Sequence, residues 1–171
     1  MILYHGTTLE IKNPEIIKSE VGRDFGFAFY TTSIKEQAER GELRRAKIQS
    51  RKDRICIQPI VNVYEWKNTN QLQIKTFTDA SIEWLELVVK CRSELNFRHN
   101  YDIVIGKIAD DNVGETVSYV IQGIMRKEDA VNRLKFEQIN DQIAFCTQKS
   151  LSELTFLKSY TLEDKVCHTQ P

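Results

Sequence analysis

An alternation of two periodicities constrains this chain most. Short runs rich in aromatic and β-branched residues, among them 27–32 (FAFYTT), 54–66 (RICIQPIVNVYEW), 101–111 (YDIVIGKIADD) and 141–147 (DQIAFCT), read as strands. Between them lie stretches with helical spacing: within 79–95, Ile82, Leu85 and Val89 recur every three or four residues, and Trp84, Leu87, Val88 and Cys91 widen the apolar stripe. Strands and helices interleaved in this order predict an α+β fold. The 171 residues suffice for one sizeable core. The expected layout is therefore a single domain over 1–160 and a loose tail over 161–171.

The remaining elements follow from local signals. Residues 2–4 (ILY) predict a first strand that Gly6 ends, delivering His5 to a loop. Asn13, Pro14, Gly22 and Gly26 make 13–26 a surface loop. A helix is expected over 34–49, with Ser33 and Glu36 spaced as a capping box and Ile34, Ala38 and Leu43 toward the core. In 54–66, Ile55 and Ile57 and then Val61 and Val63 alternate as a half-buried strand would, Pro59 marks an edge or a bulge, and 72–77 (LQIKTF) offers a partner for a two-stranded ribbon. Helices are expected at 115–123 and 128–136, and a last helix at 150–160 (SLSELTFLKSY).

Composition removes several function classes. The 24 Lys and Arg balance the 24 Asp and Glu, so no overall field favours nucleic acid or an anionic membrane. A local basic run, Arg44, Arg45, Lys47, Arg51, Lys52 and Arg54, is read as a solvated helix face, with an approach to phosphates as the alternative. Cys56, Cys91, Cys146 and Cys167 are widely separated and are expected as buried small hydrophobes rather than a disulfide framework or a zinc knuckle. His99 and His168 stand in polar surroundings without metal-ligand spacing, so no metal site is expected. No basic leader opens the chain and no run approaches about 18 apolar residues, which points to the cytoplasm and away from membranes.

His5 differs from the other histidines, being flanked by Tyr4, Gly6, Thr7 and Thr8 at a predicted strand end. There an imidazole can hold a hydroxyl while a glycine lets a ligand approach the backbone; an ordinary histidine beside a turn glycine is the other reading. Phosphate loops fit less well. The stretch 22–29 (GRDFGFAF) lacks the lysine of a P-loop, and Gly22 and Gly26 lack dinucleotide-fingerprint spacing.

Taken in order, YHGTT (4–8), DFGFAFYTT (24–32), VNVYEW (61–66), YDIVIGKIADD (101–111) and DQIAFCT (141–147) resemble the ADP-ribosyltransferase superfamily, and within it small bacterial members associated with toxin–antitoxin loci. The resemblance implies a split cleft of two packed, mainly antiparallel sheets with surrounding helices and NAD as co-substrate. It assigns His5 to the adenine-side ribose, Gly6 and Thr7 to a backbone rim, Arg23 to the pyrophosphate, Gly26 to a close backbone approach, and Tyr30 to the nicotinamide ring. A late-strand glutamate of the superfamily corresponds here to Gln142, which can hydrogen-bond ribose hydroxyls but carries no charge; Asp141 and Glu137 are neighbouring carboxylates that would compensate. The implied activity is mono-ADP-ribosyl transfer to a protein or nucleic-acid acceptor, with an antitoxin protein as a further partner. A module that binds NAD or ADP-ribose without transferring it is the alternative.

Overall fold

The computed structural model describes residues 1–18, 23–68, 71–94, 96–107, 111–134 and 141–163. Among them the fold is α+β, with seven strands and five helices in two mainly antiparallel sheets. The chain forms two compact units. The first takes Met1–Pro14, Thr31–Asn68 and the stretch from Ser152; the second takes Glu15–Tyr30 and Thr69–Leu151.

In the first unit β3 (Ile60–Trp66) is the central strand of three, antiparallel to β1 (Ile2–Thr7) on one side and to β7 (Leu154–Thr161) on the other. Helix α1 (Lys35–Asp53) buries Ala38, Glu42 and Ala46, one residue per turn. Those small side chains let the helix close on β1, and Gly6 makes the approach possible: a Cβ there would lie 2.8 Å from the Ala38 carbonyl oxygen and 2.8 Å from the Glu42 Cβ. The strand therefore runs through Gly6 instead of ending at it. On the same sheet the buried Asn62 amide accepts from the Ile11 N–H (2.9 Å) and donates to the Leu9 carbonyl (2.9 Å), holding the segment that follows β1.

The second unit holds a sheet in the order β2 (Phe29–Thr31), β6 (Asp141–Phe145), β5 (Ile103–Lys107), β4 (Ile74–Thr76), of which Phe29 and Tyr30 of β2 belong to this unit. Strand β5 is antiparallel to β6 and parallel to β4. Helix α2 (Ile82–Ser93) forms as expected and buries Trp84, Leu85, Val88 and Cys91, whereas Ile82 of the expected stripe is exposed and Leu87 and Val89 are half-buried; Ser81 caps the helix by accepting from the Trp84 N–H (3.2 Å). Trp84, Leu85 and Val88 join Phe25, Val104 and Ala144 in one apolar cluster. Helices α3 (Asp111–Ile121) and α4 (Lys127–Leu134) occupy the expected stretches, and α5 (Gln148–Leu151) is a single turn.

Several local expectations are corrected. The N-cap of α1 is Ile34 and not Ser33: Ile34 makes no side-chain cap bond, and Thr32 Oγ1 accepts from its N–H at 3.0 Å. Residues 54–58 are not strand, because α1 persists to Asp53 and Arg54 leaves it in the left-handed region (φ 55°). The ribbon of β3 with 72–77 is absent, since β3 is flanked by β1 and β7 while β4 pairs with β5. The last helix is instead α5 followed by β7. Leu151, Leu154 and Leu157 mimic a helical stripe, but Leu157 is exposed, and the Thr, Phe and Tyr content of 154–161 suits a strand paired along β3. Cys91 is buried as expected and Cys146 is half-buried, whereas Cys56 is exposed and disulfide-bonded, standing in a segment that has no core to enter. Of the expected tail, residues 164–171 lie outside the described residues.

Candidate functional site

The residues singled out from the sequence fall into two groups. His5, Gly6 and Thr7 belong to the first unit; Arg23, Gly26, Tyr30, Asp141 and Gln142 belong to the second. Glu137 lies outside the described residues.

In the first group the strand decides orientation. His5 is half-buried and stands opposite Asn62, so its side chain shares the face on which Asn62 grips Leu9 and Ile11. Gly6 points to the opposite face, under α1, and its carbonyl accepts from an Arg45 guanidinium nitrogen at 3.2 Å. The close approach that Gly6 permits is therefore made by the protein's own helix. Arg45 also meets the buried Glu42 carboxylate at 3.0 Å; burial pushes that carboxyl above its ordinary range, and Arg45 pulls it partly back. Of the basic run, Arg45 thus joins this packing while itself exposed; Arg44, Arg51, Lys52 and Arg54 are exposed and Lys47 is half-buried. Thr7 ends β1 opposite Ile60, half-buried.

The second group is built around a turn. Gly26 sits at φ 75°, a conformation that costs glycine nothing, and its N–H donates to the Arg23 carbonyl at 3.1 Å. Tyr30 hangs from this turn by its hydroxyl, which donates to the Gly26 carbonyl (2.6 Å) and accepts from the Phe25 N–H (3.2 Å). Burial pushes the phenol far above its ordinary range, so the hydroxyl stays protonated at physiological pH. The exposed Arg23 lays its guanidinium 5.9 Å from the Tyr30 ring centroid.

Gln142 stands near the start of β6, the strand next to β2, and pairs with Gly106 of β5. Directly opposed residues of an antiparallel pair project to one face. At Gly106 that face is closed by Phe25 and Trp84: an added Cβ would lie 2.9 Å from the Phe25 ring and 3.5 Å from the Trp84 indole. Gln142 thus emerges on the side where Phe25 carries the Tyr30 turn. Its amide oxygen is buried without a hydrogen-bond partner among the described residues, and the Trp84 indole nitrogen is in the same condition. Asp141 precedes it, half-buried and opposite Lys107.

Sequence reasoning missed the residues that hold this turn. Asp24, buried, accepts on one oxygen from the Arg92 Nε (2.7 Å) and terminal guanidinium nitrogen (2.5 Å). His99, read as a residue of a polar stretch, has Nε2 at 3.1 Å from the Phe25 carbonyl oxygen and accepts from the Tyr101 N–H on Nδ1 at 3.2 Å. Their partners lie 68 and 74 positions away in the chain, so no local pattern could have flagged them.

Other chemistry finds little material here. Burial pushes the Cys91 and Cys146 thiols up to about 12, which leaves neither as a thiolate nucleophile at neutral pH. Among the described residues no three His, Cys, Asp or Glu side chains cluster as metal ligands, and no helix is long and apolar enough to cross a membrane. The chain belongs to a family of proteins of unknown function (DUF3990), whose model matches residues 1–156. No curated protein and no solved structure matches it.

Proposed function

We propose that this member of the family is an NAD-dependent mono-ADP-ribosyltransferase with an ADP-ribosyltransferase-like fold, acting on a protein or nucleic-acid acceptor as a bacterial toxin would and held in check by an antitoxin protein. Two things support the reading: the ordered resemblance of five motifs to that superfamily, and an α+β fold with two mainly antiparallel sheets. The observation that carries it is the Gln142 amide oxygen, buried on the face of the Tyr30 turn and unpaired among the described residues. An unpaired buried acceptor costs about 1–3 kcal/mol, a cost repaid when a ligand hydroxyl donates to it. Within the second unit, Tyr30 would hold the nicotinamide ring, Arg23 a pyrophosphate oxygen and Gln142 the hydroxyls of the reacting ribose. His5, with Gly6 and Thr7, enters through the resemblance alone.

The bond between the ribose anomeric carbon and the nicotinamide nitrogen breaks, and its electron pair leaves with nicotinamide. The acceptor's lone pair then closes on that carbon and the acceptor releases its proton to solvent; water as acceptor gives simple hydrolysis. Positive charge develops on the ribose, and Gln142 can answer it only with the dipole of its amide oxygen. Slow transfer is the consequence. The missing charge also favours the second reading, a module that binds NAD or ADP-ribose without cleaving it.

Calorimetry with NAD and with ADP-ribose, and chromatographic detection of nicotinamide, separate the two. The purified protein is expected to bind NAD and release nicotinamide slowly. Gln142→Ala loses most of the release while keeping its thermal transition within a few degrees, Gln142→Glu retains or raises release, and Asp141→Asn leaves it unchanged. Binding without release establishes the module. A folded protein that binds neither NAD nor ADP-ribose overturns both readings, and a Gln142→Ala variant that melts far below the parent assigns the amide to packing beside Trp84.

A further inference from the structure

We propose that His99 is the positioning residue for Tyr30: it grips the turn at Phe25 as the tautomer protonated on Nε2. The tautomer follows from the bonds. Nδ1 accepts from the Tyr101 N–H, so it carries no proton, and the proton on Nε2 is then the one that points at the Phe25 carbonyl 3.1 Å away. Burial holds the imidazole below its ordinary range against the opposing effect of the Phe25 bond, with the neighbouring Arg98 acting on the side of burial, which favours the neutral ring and Nδ1 as an acceptor.

The grip passes to Tyr30 through one residue, Phe25. Phe25 gives its carbonyl to His99 and its N–H to the Tyr30 hydroxyl, and the same hydroxyl donates to the carbonyl of Gly26. These two bonds of the Tyr30 hydroxyl thus end on Phe25, which His99 holds, and on Gly26, the residue after it. A second contact joins the same two loops, the Arg98 guanidinium lying 4.0 Å over the Phe27 ring. Gly26 explains why a clamp is needed. A glycine with φ 75° gives the turn access to backbone conformations closed to other residues, and the bonds around it restrict that freedom. Without the His99 bond the turn loosens and the Tyr30 ring loses its fixed position.

The inference rests on the NAD reading for its catalytic consequence and on hydrogen bonds alone for its structural half, and the two are tested separately. Long-range proton–nitrogen spectra of the full chain are expected to show the Nε2–H tautomer at His99. In His99→Ala the Tyr30 ring resonances shift and broaden; in His99→Gln, whose amide N–H can still donate to the Phe25 carbonyl, they return toward the parent. For nicotinamide release, His99→Ala lowers kcat by roughly tenfold or more with a smaller change in KM, and His99→Gln recovers most of the loss. An Nδ1–H tautomer overturns the proposal, as do Tyr30 resonances that ignore His99→Ala. A parent protein that releases no nicotinamide defeats the transferase reading and leaves the resonances to decide the clamp. Release that is normal in His99→Ala, with the resonances moved, overturns the catalytic half.

Discussion

Gly6 and Gly26 stand in two motifs of similar appearance, YHGTT and DFGFAFYTT, and the regions around them use glycine for unrelated reasons. At Gly6 the backbone is ordinary strand and the constraint is space, since α1 lies where a side chain would project. At Gly26 the constraint is the backbone, at φ 75°, while an added Cβ would meet, among the described residues, the Cys91 sulfur at an ordinary 3.7 Å. A glycine near a candidate site is therefore no sign of a ligand until its own surroundings are known. Gly6 lets a helix in; Gly26 lets the chain turn.

The sharpest way to break this comparison is to put the same methyl group at both positions. Gly6→Ala forces a contact of 2.8 Å with the Ala38 carbonyl, a backbone atom, and another of 2.8 Å with the Glu42 Cβ, so α1 must move as a body. Overpacking of this kind costs about 1–3 kcal/mol or more, equivalent to roughly 3–10 °C in the unfolding midpoint of a chain this long. Thermal melts check it, and an unchanged midpoint would show that α1 does not close on β1 in solution.

Gly26→Ala is expected to cost less, about 1–2 kcal/mol, because the penalty is the left-handed backbone and not a clash. Gly26→Asn sharpens the point, since asparagine tolerates that region better and should recover part of the loss despite its greater bulk. If asparagine proves worse than alanine, space and not φ governs Gly26, and the distinction from Gly6 fails.

What the sequence made legible divides along similar lines. Helix α2 could be read because its apolar stripe is local. The strand β7 could not, because the choice between helix and strand in LTFLKSYT is made by β3, about ninety residues earlier, whose whole length it pairs. The role of Gly6 was illegible for a related reason: Ala38 could be read as core-facing, but not that its turn of α1, with Glu42, would lie on Gly6 about thirty residues earlier. Around the candidate site, Tyr30 and Gln142 could be picked out by motif. The side chains that hold the turn, Arg92 and His99, are charged or polar residues whose partners are distant, and charge patterns in a neutral sequence do not say which cation is buried against which anion.

The smallest effect concerns the buried carboxylates of the two regions. Asp24 receives two guanidinium nitrogens of the part-buried Arg92 at 2.7 and 2.5 Å, whereas Glu42 receives one nitrogen of the exposed Arg45 at 3.0 Å. Glu42 is the less compensated, and burial holds its carboxyl above the ordinary value of 4.5. The folded state then binds more protons than the unfolded state between that value and the raised one. Stability should fall as pH rises through this window, with the full penalty of the charged form present at neutral pH. Glu42→Gln removes the charge and keeps an oxygen for Arg45, so it should raise the unfolding midpoint at pH 7 by the equivalent of about 1 kcal/mol or less. Below the ordinary value, where the parent is protonated in both states, the two proteins should melt together. Melts of both across the acid range check the sign. A variant less stable than the parent at pH 7 would mean that the Arg45 pair outweighs the desolvation of Glu42, and that the first region is held by its ion pair as the second is by Arg92.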